Sequence, residues 1–165
     1  MRRGIILAGG LAAMAAAGVG ACSKKQDAAL GPSTPVPETY VAQMSAAKEV
    51  PTPLTTGATG VATFIFQPAG TIDYTITVSG LSALPNNMHI HAPGDATQAV
   101  GVIVGFSGYA VATSGPIASG TIVGVSSTIS MDSLRALIRN GKVYAQVHTT
   151  AYPGGEIRGQ LEKKQ

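Results

Sequence analysis

Thr71-Ile72-Asp73-Tyr74-Thr75-Ile76-Thr77-Val78 is the stretch whose reading decides the fold class. Ile72, Tyr74, Ile76 and Val78 fall on one side of an extended chain, and Thr71, Asp73, Thr75 and Thr77 on the other. Successive side chains of a strand point to opposite faces, so this period of two marks a strand with one buried and one wetted face. Pro68-Ala69-Gly70 supplies a turn before it and Gly80 a stop after it.

The same pattern extends outward. Residues 60–66 predict a strand with Ala62, Phe64 and Phe66 opposite Val61, Thr63 and Ile65, and residues 40–44 predict one before it. Glu49-Val50-Pro51-Thr52-Pro53 is expected to be a loop or strand edge, because proline cannot donate to a ladder. Downstream, residues 88–91 predict a short strand and residues 120–125 a further one. Residues 100–106, apolar on both faces, predict a buried strand. One helix is expected: Ser130 caps it, Asp132 sits in its first turn, Leu134, Leu137 and Ile138 form its apolar face, and Asn140-Gly141 ends it. Val143, Ala145 and Val147 then alternate with Tyr144, Gln146 and His148, and Ile157 and Leu161 with Glu156, Arg158 and Gln160. Seven or eight short strands with one short helix predict an all-β fold, an antiparallel, Greek-key-like β-sandwich.

Composition agrees. The 165 residues include 21 Gly and 10 Pro, no Trp, and only 12% charged side chains, which suits one domain of short strands around a core of small apolar groups. The N-terminus has another character. Met1-Arg2-Arg3 is a short positive start, and residues 4–20 are small and apolar, too short and Gly-rich for a good membrane span. The run ends in Val19-Gly20-Ala21-Cys22, which resembles a bacterial lipobox. Residues 1–21 are therefore expected to be a lipoprotein signal peptide and Cys22 the lipidated residue. Cys22 is the only cysteine, so no disulfide can form within the chain. Residues 22–39, with Pro32, Pro35 and Pro37, are expected to be the lipidated Cys and a flexible Pro-rich tether, and residues 40–165 the folded domain. The membrane is then a partner through the lipid anchor. In a Gram-negative host Ser23 points to the outer membrane or the periplasmic face. The net charge of +3 is weak evidence for nucleic acid: without Arg2 and Arg3 the eleven Lys and Arg become nine, against eight Asp and Glu, and no basic cluster with interleaved aromatics occurs.

Several motifs stand in a recognisable order. They are Glu49-Val50-Pro51, His89-Ile90-His91, the helix followed by Gly141-Lys142-Val143-Tyr144, His148-Thr149, and Tyr152-Pro153-Gly154-Gly155-Glu156-Ile157-Arg158-Gly159-Gln160-Leu161. In these the chain resembles the CHRD (chordin-type) domain family over residues 40–163. The resemblance implies a β-sandwich of the kind found in chordin and in many bacterial exported proteins. Chordin antagonises secreted growth factors, a partner that does not carry over to a bacterial lipoprotein. Ala92-Pro93-Gly94-Asp95 replaces a more Gly-rich stretch of the family after the two histidines.

All three histidines of the chain fall inside these motifs. His89 and His91 are two apart on a strand and share a face; His148 shares a face with Tyr144 and Gln146. If the two strands are neighbours, three imidazoles converge, a donor set that suits copper or zinc. The His-x-His pair, the later histidine, Gly154-Gly155 and Arg158 are also similar in order to copper/zinc superoxide dismutases, but a fourth histidine, a zinc-loop histidine cluster and a disulfide are missing. The competing reading is a structural network in which the histidines, with Tyr144, Glu156 and Arg158, hydrogen-bond and lock loops.

No nucleophile elbow, phosphate loop or paired carboxylates point to an enzyme. The sequence therefore predicts a non-enzymatic binding or structural module of the cell envelope, with a protein or glycan partner. The alternative is a copper-binding envelope protein with a three-histidine site at His89, His91 and His148, serving copper handling or redox protection.

Overall fold

A computed structural model describes residues 36–125 and 129–165; the expected signal peptide, Cys22 and the tether up to residue 35 lie outside the described residues. The strands are β1 (Glu38–Ser45), β2 (Thr59–Phe66), β3 (Ile72–Ser79), β4 (Pro85–His91), β5 (Val102–Gly105), β6 (Gly115–Ile122), β7 (Tyr144–Thr149) and β8 (Ile157–Lys163), with one helix, α1 (Met131–Arg139), before β7. β1 starts two residues ahead of the expected start of the domain, with Glu38 opposite Phe66.

All eight strands form one antiparallel sheet in the order β5-β4-β7-β8-β1-β2-β3-β6. The chain lays down β1, β2 and β3 in one half, moves to the other for β4 and β5, returns for β6, and crosses again for β7 and β8. This is the expected Greek-key-like, sandwich-like arrangement, with the two halves joined edge to edge at β1–β8 rather than as separate sheets. The sheet curls so that the β5 end packs over the far half. Phe106, just beyond β5, packs 4.4 Å from the Tyr74 ring of β3 and 6.4 Å from Phe64 of β2. One core fills the curl, including Ala62, Phe64, Ile72, Ile76, Met88, Ile90, Val147, Ile157 and Leu161.

The joint at β1–β8 depends on Gly159, where an added Cβ would run into the Gln43 carbonyl. A side chain there would push the two halves apart. The helix forms as expected: Ser130 Oγ accepts from the Ser133 N–H at 3.1 Å, Leu134 and Ile138 are buried, Leu137 is half-buried, and Gly141 takes φ +66° just past the end.

β4 begins at Pro85, three residues ahead of the expected 88–91, and three other strands differ more. β6 begins at Gly115 and stops at Ile122, whereas residues 120–125 were predicted. Glycine and proline ordinarily interrupt a strand, yet β6 starts at Gly115-Pro116 on the sheet edge, with Pro116 beside an irregularity in its ladder with β3. An edge tolerates the missing donor. β5 is also an edge, with Val102 half-exposed at 49%, so the apolar run of residues 100–106 is not a strand buried on both faces. β7, by contrast, is buried on both faces although it alternates apolar and polar residues.

Phe106→Ala is expected to lower the unfolding free energy by about 3–5 kcal/mol, the usual cost of deleting a buried aromatic ring. Denaturant-midpoint measurements check it. A loss under about 1 kcal/mol would show that Phe106 does not close the curl.

Candidate metal centre

β4, β7 and β8 lie side by side, and their shared inner face is apolar: Met88 and Ile90, then Ala145 and Val147, then Ile157 and Leu161. Period two therefore puts His89 and His91, then Tyr144, Gln146 and His148, then Arg158 and Gln160 on the opposite face. Register sets their neighbours: His91 is opposite Tyr144, His89 opposite Gln146, Asn87 opposite His148, and Gln146 opposite Arg158. Loops cover this polar face, leaving His91 only 6% exposed and His148 8%.

The expected convergence of the histidines is present. One ring nitrogen from each of His89, His91 and His148 can be chosen so that all three lie within 4.8 Å of one another. His89 Nδ1 is 3.1 Å from His148 Nε2. Two of the rings are held from behind. His91 Nδ1 donates to the Val100 carbonyl at 2.8 Å, and His148 Nδ1 donates to the Pro153 carbonyl at 2.9 Å. A donating Nδ1 leaves Nε2 as a lone pair. His148 spends that lone pair toward His89, and the buried Nε2 of His91 has no hydrogen-bond partner.

Burial keeps the rings neutral. It pulls the His89 pKa down to about 4, reinforced by the His148 and His91 rings beside it. His91 is lowered by burial, which the Val100 bond opposes, with smaller lowering effects from His148 and Arg158. His148 is lowered by burial against the opposing Pro153 bond. Near neutral pH the cluster is thus three uncharged imidazoles, the ligating form.

The other expected residues divide into two groups. Tyr144 stacks on His91 with ring centres 4.7 Å apart and planes 4° apart, and its hydroxyl exchanges hydrogen bonds with the Val100 N–H and carbonyl. The Arg158 guanidinium carbon lies 3.5 Å from the centre of the Tyr144 ring, and Arg158 donates to the Asp95 carbonyl at 2.7 Å. Arg158 and Tyr144 therefore support the histidine cluster. Glu156 does not join them: its carboxylate accepts from the Ser82 N–H and the Thr149 hydroxyl, both at 2.8 Å. It precedes β8, so the two-residue spacing from Arg158 does not place both in one network.

Two residues of this region were not singled out from the sequence. Gln146 donates to the buried Glu49 carboxylate at 2.6 Å and to the Gly154 carbonyl at 3.2 Å. Burial raises the Glu49 pKa to about 7, opposed by the Gln146 bond and the Arg158 charge. Glu49 stood in a quoted motif but read as loop; its tie to Gln146 spans 97 positions, and no local pattern signals it.

A family model described as the CHRD domain matches residues 40–161. No curated protein and no solved structure matches the chain.

The shifts act in opposite directions on stability. The His89 pKa lies below its unfolded value of about 6.5, so the unfolded chain binds more protons and stability falls as pH drops from about 6.5 to about 4. Glu49 lies above its unfolded value, so its contribution is full below about 4.5 and is lost as pH rises to about 7. With Glu49→Gln, the melting temperature of the metal-free protein is expected to fall steadily from pH 6.5 to 4. Adding His89→Gln should flatten that slope; an unchanged slope would contradict the assignment.

Proposed function

The chain belongs to the CHRD domain family, and from that premise we propose that it is an exported, lipid-anchored binding module whose ligand is a copper ion held by His89, His91 and His148. The observation that carries the reading is the unpartnered Nε2 of His91 beside the His89–His148 pair, with the outer nitrogens of His91 and His148 fixed by backbone carbonyls. A metal-binding histidine characteristically donates its other ring N–H to a carbonyl or carboxylate, which fixes the tautomer and aims the ligating lone pair. An unmade buried hydrogen bond costs about 1–3 kcal/mol, which an ion bound at His91 Nε2 would offset.

Spacing supports the same reading. Two imidazole nitrogens at about 2.0–2.1 Å from one ion, at a near-tetrahedral angle, stand about 3.3 Å apart. His89 Nδ1 and His148 Nε2, hydrogen-bonded at 3.1 Å, already stand near that spacing, and an ion held between them would displace the proton His89 carries on Nδ1. Three neutral nitrogen donors suit copper and zinc, and copper has the higher affinity for such a set among divalent first-row ions. The lipobox-like Val19-Gly20-Ala21-Cys22 supports anchoring through Cys22 and an envelope location.

Titration of the purified protein with Cu(I), Cu(II) and Zn(II) is expected to give one-to-one copper binding. Changing His89, His91 and His148 together to Ala should weaken it by at least about a hundredfold, more than loss of an outer partner usually costs. A folded protein that binds no copper would leave a protein- or glycan-binding module. Cys22→Ser is expected to move the protein out of the membrane fraction; unchanged fractionation would remove the lipid anchor from the reading.

A further inference from the structure

A positive charge stands one aromatic ring away from the histidine cluster. Arg158 is 2% exposed, its guanidinium lies 3.5 Å over the Tyr144 ring, and Tyr144 in turn stacks in parallel on His91. Arg158 and His91 approach Tyr144 from the strands on either side of β7. No carboxylate among the described residues is within ion-pair distance of Arg158. Its resolved hydrogen bond goes to the Asp95 carbonyl, and the Asp95 carboxylate is itself committed to Lys142 at 3.0 Å. Glu49 and Asp95 act on Arg158 through longer-range Coulombic attraction only. The charge of Arg158, balanced by no ion pair and only at longer range by Glu49 and Asp95, reaches His91 and disfavours a further positive charge there.

The cluster brings no charge of its own to offset this. Its donors are three neutral imidazoles, with no thiolate or carboxylate among them. A divalent ion placed there adds two positive charges beside a buried cation, and a monovalent ion adds one. Repulsion scales with the product of the charges and is strong where water is excluded. Low coordination favours the same state, because Cu(II) seeks tetragonal surroundings with additional ligands.

Resting on the copper reading above, we propose that the site is selective for monovalent Cu(I) over divalent Cu(II) and Zn(II), and that Arg158, acting through Tyr144, sets that selectivity. Arg158 is a positioning and charge-setting residue; it does not ligate.

The test compares Cu(I) and Cu(II) affinities by chelator competition, and the copper reduction potential by redox titration, in the full-length protein and two variants. Arg158→Met keeps a long side chain for packing on Tyr144 and removes the charge. Arg158→Lys keeps the charge. The unmodified protein should bind Cu(I) more tightly than Cu(II). Arg158→Met should raise Cu(II) affinity at least tenfold relative to Cu(I), lowering the potential by about 59 mV or more, and Arg158→Lys should hold the ratio within about threefold of the original. A purely structural role would weaken both ions together and leave the ratio alone. Tighter binding of Cu(II) than Cu(I) by the unmodified protein overturns the proposal without need of a variant. An unchanged ratio in folded Arg158→Met also overturns it while leaving copper binding intact. Failure of the unmodified protein to bind either ion would instead take the copper reading down with it.

Discussion

β7 is buried on both faces, and the rest of the polar architecture follows from that. A strand that alternates apolar and polar residues ordinarily sends the polar set to water. Here Tyr144, Gln146 and His148 are all buried, so their polar groups must be satisfied from within. The chain meets that demand with backbone carbonyls from the covering loops: Val100 for Tyr144 and His91, Pro153 for His148, Gly154 for Gln146. Imidazole has two nitrogens, and a carbonyl occupies only the donating one. For His91 and His148 the Nε2 lone pair is the residue of that accounting, the one idle and the other turned toward His89, and the register of β4 against β7 brings the three rings together.

The loop joining β4 to β5 is the main cover. Its backbone is tied to β7 and β8 by the Arg158 bond to the Asp95 carbonyl, the Gln160 bond to the Gly94 carbonyl and the Tyr144 contacts with Val100. Gly94 lies close against Val100 and the Tyr144 ring, where a Cβ would crowd both. Ala92-Pro93-Gly94-Asp95 thus belongs to the segment that holds the Tyr144–His91 stack in place. Lys142 closes the loop from outside through Asp95, but that pair is half-exposed and contributes little to stability.

Legibility from the sequence tracked the range of the interactions involved. Residues 71–78 and the helix were readable because strand alternation and capping are local, and Ser130, Leu134 and Ile138 do what their spacing implies. The histidine face was readable for the same reason: two residues apart on a strand means one side. Edge strands were read poorly, because Pro116 and Gly115 look like punctuation and only their place at the sheet margin lets them pair. The same limit separates Glu156 from Arg158. Alternation holds only inside a strand, and β8 begins at Ile157. Glu49 and Gln146 were out of reach because their meeting depends on how the turn before β8 packs against the segment after β1. There Gly155, at φ +124°, leaves no room for a side chain beside Gln146 and Glu49.

A buried guanidinium without a carboxylate is costly, and stability alone gives no reason to keep one. Apolar residues of similar volume in place of buried charges often leave a protein as stable or more so. Arg158 recovers part of the cost through the Tyr144 ring face and one carbonyl, which is modest compensation for a charge 2% exposed. The histidines carry a similar penalty: three rings are packed in a place that depresses their basicity, with one nitrogen idle. Two expensive features share one ring, Tyr144, and neither is required by the core on the far side of the sheet. Local rules are broken most often at functional sites, where the loss is offset elsewhere in the fold. In this domain the offset is the apolar face of the same three strands, which holds β4, β7 and β8 in register whatever the polar face carries.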